Sequence, residues 1–398
     1  MANNNKHTGP NVPALRFPEF SGEWERKALS EFVDRVTRRN KGLKSTRPLT
    51  ISAQFGLVDQ TEFFKKSVAG ADLSNYYLLS KGEFAYNKSY SDGYPLGAIK
   101  RLDRYDSGVL SSLYICFVPK PYMSSDYLVQ YFESTKWNQV VKDISGEGAR
   151  NHGLLNVPVT GFFETQHFIP KRDEQEKLGA FLTLIEKRIA TQNKIIEELA
   201  ALRSALLEKV FQVSNPTLEV GAIAHQTSER NKLCRYSNVL SVSNRFGFIN
   251  QSEQFEDRNV ASDDVRNYKV VHRGDFAYNP ARINVGSIAM LKSFESGIVS
   301  PMYICFQVDD TIVDPSFFEL FLETKAFKDE MEIRLEGSVR RCLSFEALCE
   351  IHLPRPALLV QRSISDKIGN ISSKIKLEDR ILRAYIRQKE WLLKQMFI

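Results

Sequence analysis

The sequence predicts a mixed α/β (α+β) chain of two similar domains separated by two long antiparallel coiled-coil helices, a pseudo-two-fold internal repeat. Two repeated stretches and one repeated periodicity predict this. Lys81-Gly82-Glu83-Phe84-Ala85-Tyr86-Asn87 returns as Arg273-Gly274-Asp275-Phe276-Ala277-Tyr278-Asn279. The stretch from Gly108 to Phe117, ending Tyr114-Ile115-Cys116-Phe117, returns from Gly297 to Phe306, ending Tyr303-Ile304-Cys305-Phe306. The shift of about 190 residues is far longer than a solenoid repeat, so a whole domain plus its connector is duplicated. Each copy is followed by a proline-free run with heptad spacing of apolar residues.

Each copy carries many short strands. Val109 to Val118 and Ile298 to Val308 are rich in β-branched and aromatic residues, which fit a pleated, half-buried surface. Lys-Gly-Glu and Arg-Gly-Asp are turn signals before the Phe-Ala-Tyr strand. Tyr127 to Val141 and Ser316 to Met331 show helical spacing with a polar face. The copies also agree at Arg39-Asn40-Lys41 and Arg230-Asn231-Lys232, and from Ile51 to Gln60 and Val242 to Gln251. Ile169-Pro170 and Leu353-Pro354 close the domains, because proline disfavours helix before it and tolerates helix after it. The expected organisation is a tail over 1–13, a first domain over 14–170 and a helix over 171–213. A second domain over 214–354 and a second helix over 355–398 follow.

The first helix places Leu178, Leu182, Ile185, Ile189, Ile196, Leu199 and Leu206 on one seam. The second places Ile364, Ile368, Ile371, Ile375, Leu382, Tyr385 and Leu392 at the same steps. Even the polar interruptions coincide, Gln192 with Glu378 and Arg203 with Lys389. A helix of about 40 residues runs roughly 60 Å and must bury such a seam. Its twin is the simplest partner, with an intermolecular coiled coil as the alternative.

The composition, 42% hydrophobic and 26% charged, supplies apolar material for real cores and excludes wholesale disorder. The polar, Asn-rich start and the lack of a long apolar run predict a cytoplasmic protein with no membrane partner. The five cysteines form no Cys-x-x-Cys pair, which argues against a disulfide framework and a zinc site. Cys116 and Cys305, inside Tyr-Ile-Cys-Phe, read as small buried strand residues. The net charge of +6 mildly favours an anionic partner. That excess sits largely in the second helix, where ten Lys/Arg face four Asp/Glu from Pro354 to Ile398. The first helix has eight against seven, which leaves the rest of the chain near −1. Any nucleic-acid contact in the domains therefore relies on local clusters, or on a partner for bulk phosphate attraction.

The first copy ends in Gly146-Glu147-Gly148-Ala149-Arg150-Asn151, then Phe168-Ile169-Pro170 and Glu174-Gln175; the second ends in Gly337-Ser338-Val339-Arg340-Arg341, then Leu353-Pro354. With the duplication and the paired helices, this order resembles the DNA-specificity subunit of type I restriction–modification enzymes. The second copy departs from the pattern where Val360-Gln361 replaces Glu-Gln. The resemblance implies two target-recognition domains and a non-catalytic protein that binds a bipartite double-stranded DNA site. It also implies two methyltransferase (modification) subunits and restriction subunits as partners, with no cofactor, metal or catalytic residue assigned to this chain.

Base and phosphate readout needs Arg, Lys, Asn, Gln and Tyr on loops. The candidates are Arg38, Arg39 and Lys41 in one basic turn, and Arg230, Lys232 and Arg235 in its repeat. Lys88 and Tyr90, and Arg282 and Asn284, follow the Phe-Ala-Tyr-Asn element where the copies diverge. Arg150, Asn151, Arg340 and Arg341 sit before the closing strands. Any single surface arginine also reads as a solvated charge, and His152 as a polar loop residue. Asn279-Pro280-Ala281-Arg282 lacks the second proline and the aromatic of an amino-methyltransferase motif, and no phosphate-binding glycine loop is present. Glu133 to Lys136 and Glu323 to Lys325 superficially suggest a nuclease pair but lack a preceding Pro-Asp. A coiled-coil scaffold spacing two protein-binding domains would share the seam; the Arg/Asn/Tyr-rich divergent loops favour DNA.

Overall fold

The computed structural model describes residues 11–52, 54–65, 69–70, 72–90, 93–145, 155–212, 217–251, 264–337 and 341–398. It divides into two compact units, Met1–Asn193 with Arg380–Ile398, and Lys194–Asp379.

Both units are built around the same four-stranded antiparallel sheet. In the first, the order is Val33–Arg35, Ile115–Pro119, Phe84–Asn87, Ala98–Arg101. In the second it is Ala224–Thr227, Ile304–Val308, Phe276–Tyr278, Ile288–Met290. The register repeats as well: Phe84 faces Phe117 and Ala85 faces Cys116, as Phe276 faces Phe306 and Ala277 faces Cys305. One sheet face carries stacked rings, Phe84 on Phe117 at 5.4 Å and Phe276 on Phe306 at 5.3 Å. On the other face both cysteines are buried, and burial pushes each thiol up to about 12, so they are packing groups, not nucleophiles.

The repeated turn before the Phe-Ala-Tyr strand has a chemical reason. Gly82 and Gly274 hold φ of 89° and 94°, which only glycine adopts freely. The acidic residue after each glycine is buried and caps the turn. Glu83 accepts the Ser80 amide at 2.8 Å, and Asp275 accepts the His272 amide at 2.8 Å. Gly108 and Gly297 repeat for a different reason. A Cβ on either would lie 2.3 Å from Leu49 or 2.4 Å from Leu240, so the strands could not approach as they do.

Two expectations change. The run from Val109 to Val118 is two strands in different sheets, Ser107–Leu110 and Ile115–Pro119, and the run from Ile298 to Val308 divides likewise into Ser296–Val299 and Ile304–Val308. Between them the chain turns, with the Tyr114 and Tyr303 amides donating to the Ser111 and Ser300 carbonyls at 3.1 and 3.0 Å. The helices expected from Tyr127 and from Ser316 are also each broken in two, Ser125–Glu133 with Asn138–Ile144 and Pro315–Glu323 with Lys325–Arg334. Side chains make the second break: Thr324 Oγ1 donates to the Phe321 carbonyl and caps the new helix by accepting the Phe327 amide at 3.1 Å.

The long helices are Arg172–Gln212 and Leu358–Gln395. In the first unit Glu186 accepts from Lys389 Nζ at 2.7 Å, and Arg188 lies 5.2 Å from the Tyr385 ring centre. Numbers rise on one helix as they fall on the other, so the pairing is antiparallel. In the second unit Arg203 Nε donates to Ser372 Oγ at 2.7 Å, and Leu207 and Phe211 pack with Ile368. Of the predicted seam, Leu178, Leu182, Ile185, Ile368 and Leu392 are buried. Ile189, Ile196, Leu199, Leu206, Ile364, Ile371, Ile375, Leu382 and Tyr385 are half-buried, with Leu207 deeper than Leu206. The matched phenylalanines at the helix ends do matched work. Phe397 packs on Tyr127 and Tyr131, and Phe211 on Phe317 and Phe321.

The start of each long helix is locked to its unit by one glutamine. Gln175 Oε1 accepts the Ser124 amide at 2.9 Å while its Nε2 donates to the Pro170 carbonyl at 2.9 Å. Gln361 does the same with the Asp314 amide at 2.9 Å and the Pro356 carbonyl at 2.8 Å. Ser124 and Asp314 are themselves helix caps. Gln361→Leu is expected to destabilise the second unit by about 2 kcal/mol, the cost of leaving a buried amide unpaired. Denaturant unfolding checks this; a change below about 0.5 kcal/mol would contradict the lock.

Candidate nucleic-acid interface

The two basic turns are one device made twice. Asn40 and Asn231 are buried, and each clamps its loop with both ends of its side-chain amide. Asn40 donates to the Ser45 carbonyl at 2.8 Å and accepts the Ser45 amide at 3.1 Å. Asn231 donates to the Tyr236 carbonyl at 2.8 Å and accepts the Tyr236 amide at 3.2 Å. Leu43 and Cys234 take the left-handed φ of 50° and 48° that the tight loop demands. The result presents Lys41 and Lys44 on one unit, and Lys232 and Arg235 on the other, to solvent.

The neighbouring arginines are engaged within the chain. Arg39 donates to the Asn75 carbonyl and lies 4.6 Å from the Tyr77 ring centre, while Arg230 donates to the Asn267 carbonyl at 2.6 Å. Arg38 pairs with Glu83 at 2.8 Å and also donates to the Leu78 carbonyl. These three position the turns, and Lys41, Lys44, Lys232 and Arg235 stay exposed on them. Arg341 is paired with Glu332 at 2.6 Å. Arg150, Asn151, His152 and Arg340 lie outside the described residues.

The loops after Phe-Ala-Tyr-Asn share a root and then part. Asn87 Oδ1 accepts the Ser89 amide at 3.1 Å, and Asn279 Oδ1 accepts the Ala281 amide at 3.1 Å. Beyond that root the first unit presents half-buried Lys88 and exposed Tyr90, and the second presents exposed Arg282 and Asn284. In the second unit a cleft of about 270 Å³ opens here, with Ser243, Asn244, Gln251, Asn279, Arg282 and Met302 among its walls. Among the described residues, Gln251 Oε1 is buried in that wall with no hydrogen-bond partner, as is Oε1 of Gln60, its counterpart in the first unit. An orphaned buried amide oxygen is costly unless a donor arrives. The cleft therefore offers amide, hydroxyl and guanidinium groups beside an unmet acceptor. That is chemistry suited to the edge of a base.

Gln60, Gln251 and two matched pairs of exposed apolar residues are not among the candidates that the sequence pattern singles out. Phe55 and Phe246 are 63% and 67% exposed, and Leu113 and Met302 are 64% and 63% exposed, at matching places. The signal was present in the repeat, where Gln54-Phe55-Gly56 aligns with Arg245-Phe246-Gly247. The carboxylates that superficially suggested a nuclease are paired: Glu133 with Lys100, and Glu323 with Arg203 at 2.8 Å. Among the described residues no three His, Cys, Asp or Glu side chains are grouped to hold a metal ion. Nor is any described helix long and apolar enough to cross a membrane.

No protein-family model and no curated protein matches the sequence. Among solved structures, the chain is similar to the S subunit of a type I restriction–modification system from M. genitalium. Identity is 14% and the TM-score 0.57, over 97% of this chain and 99% of that one. It is also similar to a chain from a structure of the assembly and conformational transition of the type I R-M system. There identity is 15% and the TM-score 0.54, over 94% of this chain and 97% of that one. Over most of its length the fold of this chain is that of type I S subunits.

Proposed function

We propose that this chain is the DNA-specificity subunit of a type I restriction–modification complex. It would read a bipartite site, one half-site per unit, and carry no catalytic residue of its own. The carrying observation is a scaffold repeated to the register of its strands, with different side chains on its loops. The loop after the shared Phe-Ala-Tyr-Asn element carries Lys88 and Tyr90 in one copy and Arg282 and Asn284 in the other, which is what two unlike half-sites require. The likeness to S subunits over nearly the whole chain supports the same reading. Two methyltransferase subunits and the restriction subunits are the partners this assigns. The exposed basic turns would supply phosphate contacts, and the cleft beside Arg282 base contacts.

The test is methylome sequencing of cells that carry this chain with its methyltransferase. A methyladenine motif in two parts separated by unspecified bases is expected; a continuous motif, or none, would sink the reading. The two long helices would set the spacer. Inserting one heptad into each adds roughly 10 Å of helix, the rise of about three base pairs. The motif should then gain that spacing and keep both half-sites, and altered half-site bases would contradict the ruler.

A further inference from the structure

We propose that Phe246, and Phe55 at the same place in the first unit, are apolar wedges that enter the base stack of their half-sites. This rests on the DNA-specificity reading and adds to it a residue and a mode of contact.

Each phenylalanine sits at the tip of a two-stranded hairpin, between Leu49–Ser52 and Gly56–Asp59 or between Leu240–Ser243 and Gly247–Asn250. The tips are braced from within: Ser52 Oγ accepts the Phe55 amide at 3.1 Å, and Ser243 Oγ accepts the Arg245 amide at 3.3 Å. A ring held out on a braced tip loses contact with water only when a partner covers it. Single exposed apolar residues are ordinary on a protein surface. Two pairs of them at matched places are not, because the copies differ at the flanking positions, Gln54 against Arg245 and Ala53 against Asn244. The second pair, Leu113 and Met302, is exposed to almost the same degree as the first. Met302 lines the same cleft as Asn244, two residues from Phe246.

The charge around the second tip says what covers it. Among the described residues, those lining the cleft include Arg282 and no carboxylate, and Arg245 stands beside Phe246 on the tip. The Arg245 guanidinium lies 5.2 Å from the Phe246 ring centre, so cation and ring are presented together. In the first hairpin the one carboxylate, Asp59, caps a helix and faces Arg47 at 3.5 Å. A polyanion with flat apolar faces stacked inside it matches this surface, and apolar side chains are known to wedge between base steps and unstack them.

The experiment uses the full chain assembled with its methyltransferase subunits. The probes are duplexes carrying the motif methylated in cells, with 2-aminopurine placed at successive positions of each half-site. The wild-type complex should raise the fluorescence severalfold at one step in each half-site. Phe246→Ser should abolish the rise in the second half-site only and weaken binding about tenfold, the scale of one lost aromatic–base contact. Phe55→Ser should do so in the first half-site only, and Phe246→Trp should keep the signal. Three results would overturn the wedge. They are no rise with the wild type, unchanged fluorescence and binding in Phe246→Ser, or loss of the methyltransferase subunits from that variant. Each leaves a bipartite methylated motif standing, whereas absence of that motif would overturn the function reading itself.

Discussion

Arg16→Met is expected to destabilise the first unit by about 3 kcal/mol, the cost of stripping a buried carboxylate of its partner. Glu174, 2% exposed at the start of the long helix, is held by Arg16 through two parallel bonds of 2.7 and 2.8 Å. Trp24 Nε1 adds a third at 3.3 Å. The same N-terminal segment is fastened at other points. Phe17 meets Phe181 edge-on at 5.6 Å, and the Leu15 amide donates to the Gln395 carbonyl at 3.0 Å. Arg16 is thus the centre of a clasp that joins the segment before the first strand to the helix after the last one. Removing the arginine alone leaves a buried carboxylate facing the Trp24 indole. Removing both charges, in Arg16→Met with Glu174→Leu, should recover most of the loss, because an apolar pair can replace a buried ion pair. Denaturant unfolding of the single and double variants measures the coupling. A single variant within about 0.5 kcal/mol of wild type would show that the clasp carries no stability.

This clasp also marks a limit of sequence reading. Glu174-Gln175 read as one motif, and its absence at Val360-Gln361 as a departure. The structure separates the two residues. Gln175 and Gln361 do identical work on the helix caps of their units, while Glu174 is held by Arg16 and Trp24. Partners 150 or more positions away in sequence leave no local signature, so nothing marked Arg16. Periodicity did reveal the long helices and their seam, because a heptad pattern is local and repeated. It did not reveal that Leu207 lies deeper than Leu206, since side-chain depth depends on what the other helix and the domain bring. The basic turns show the same division. Their repetition in both copies marks them, but Arg38, Arg39 and Arg230 are bound to carbonyls and a carboxylate of their own unit. Duplication was the strongest signal and the easiest to under-use. The matched Phe55 and Phe246, and Gln60 and Gln251, align in the repeat, but what sets them apart is the exposure of the first pair and, among the described residues, the unpartnered Oε1 of the second.

The first unit should lose about 2.5 kcal/mol of stability between pH 7 and pH 4.5 through His167 alone. His167 is buried, and burial brings its imidazole down from 6.5 to about 4. Its two nitrogens have assigned roles. Thr165 Oγ1 gives its one proton to the Phe162 carbonyl at 2.6 Å, so it accepts from His167 Nε2 at 2.8 Å. Nδ1 is then the acceptor, and the Tyr131 hydroxyl donates to it at 2.7 Å. A second proton on the ring would have to sit on Nδ1, against a hydroxyl whose own ionisation burial pushes far out of reach. The folded ring therefore refuses a proton that the unfolded ring accepts as pH falls below about 6.5. Wherever the unfolded state binds more protons, stability rises with pH. The contribution of neutral His167 is complete above about 6.5 and is lost as pH falls toward about 4. Other groups titrate in that range, so the measurement is a difference. Unfolding free energies of wild type and His167→Gln, compared at pH 7 and pH 4.5, should converge by about 2.5 kcal/mol. Parallel curves would mean that the ring is protonated in the folded unit, and the tautomer assigned from Thr165 and Tyr131 would fail with it.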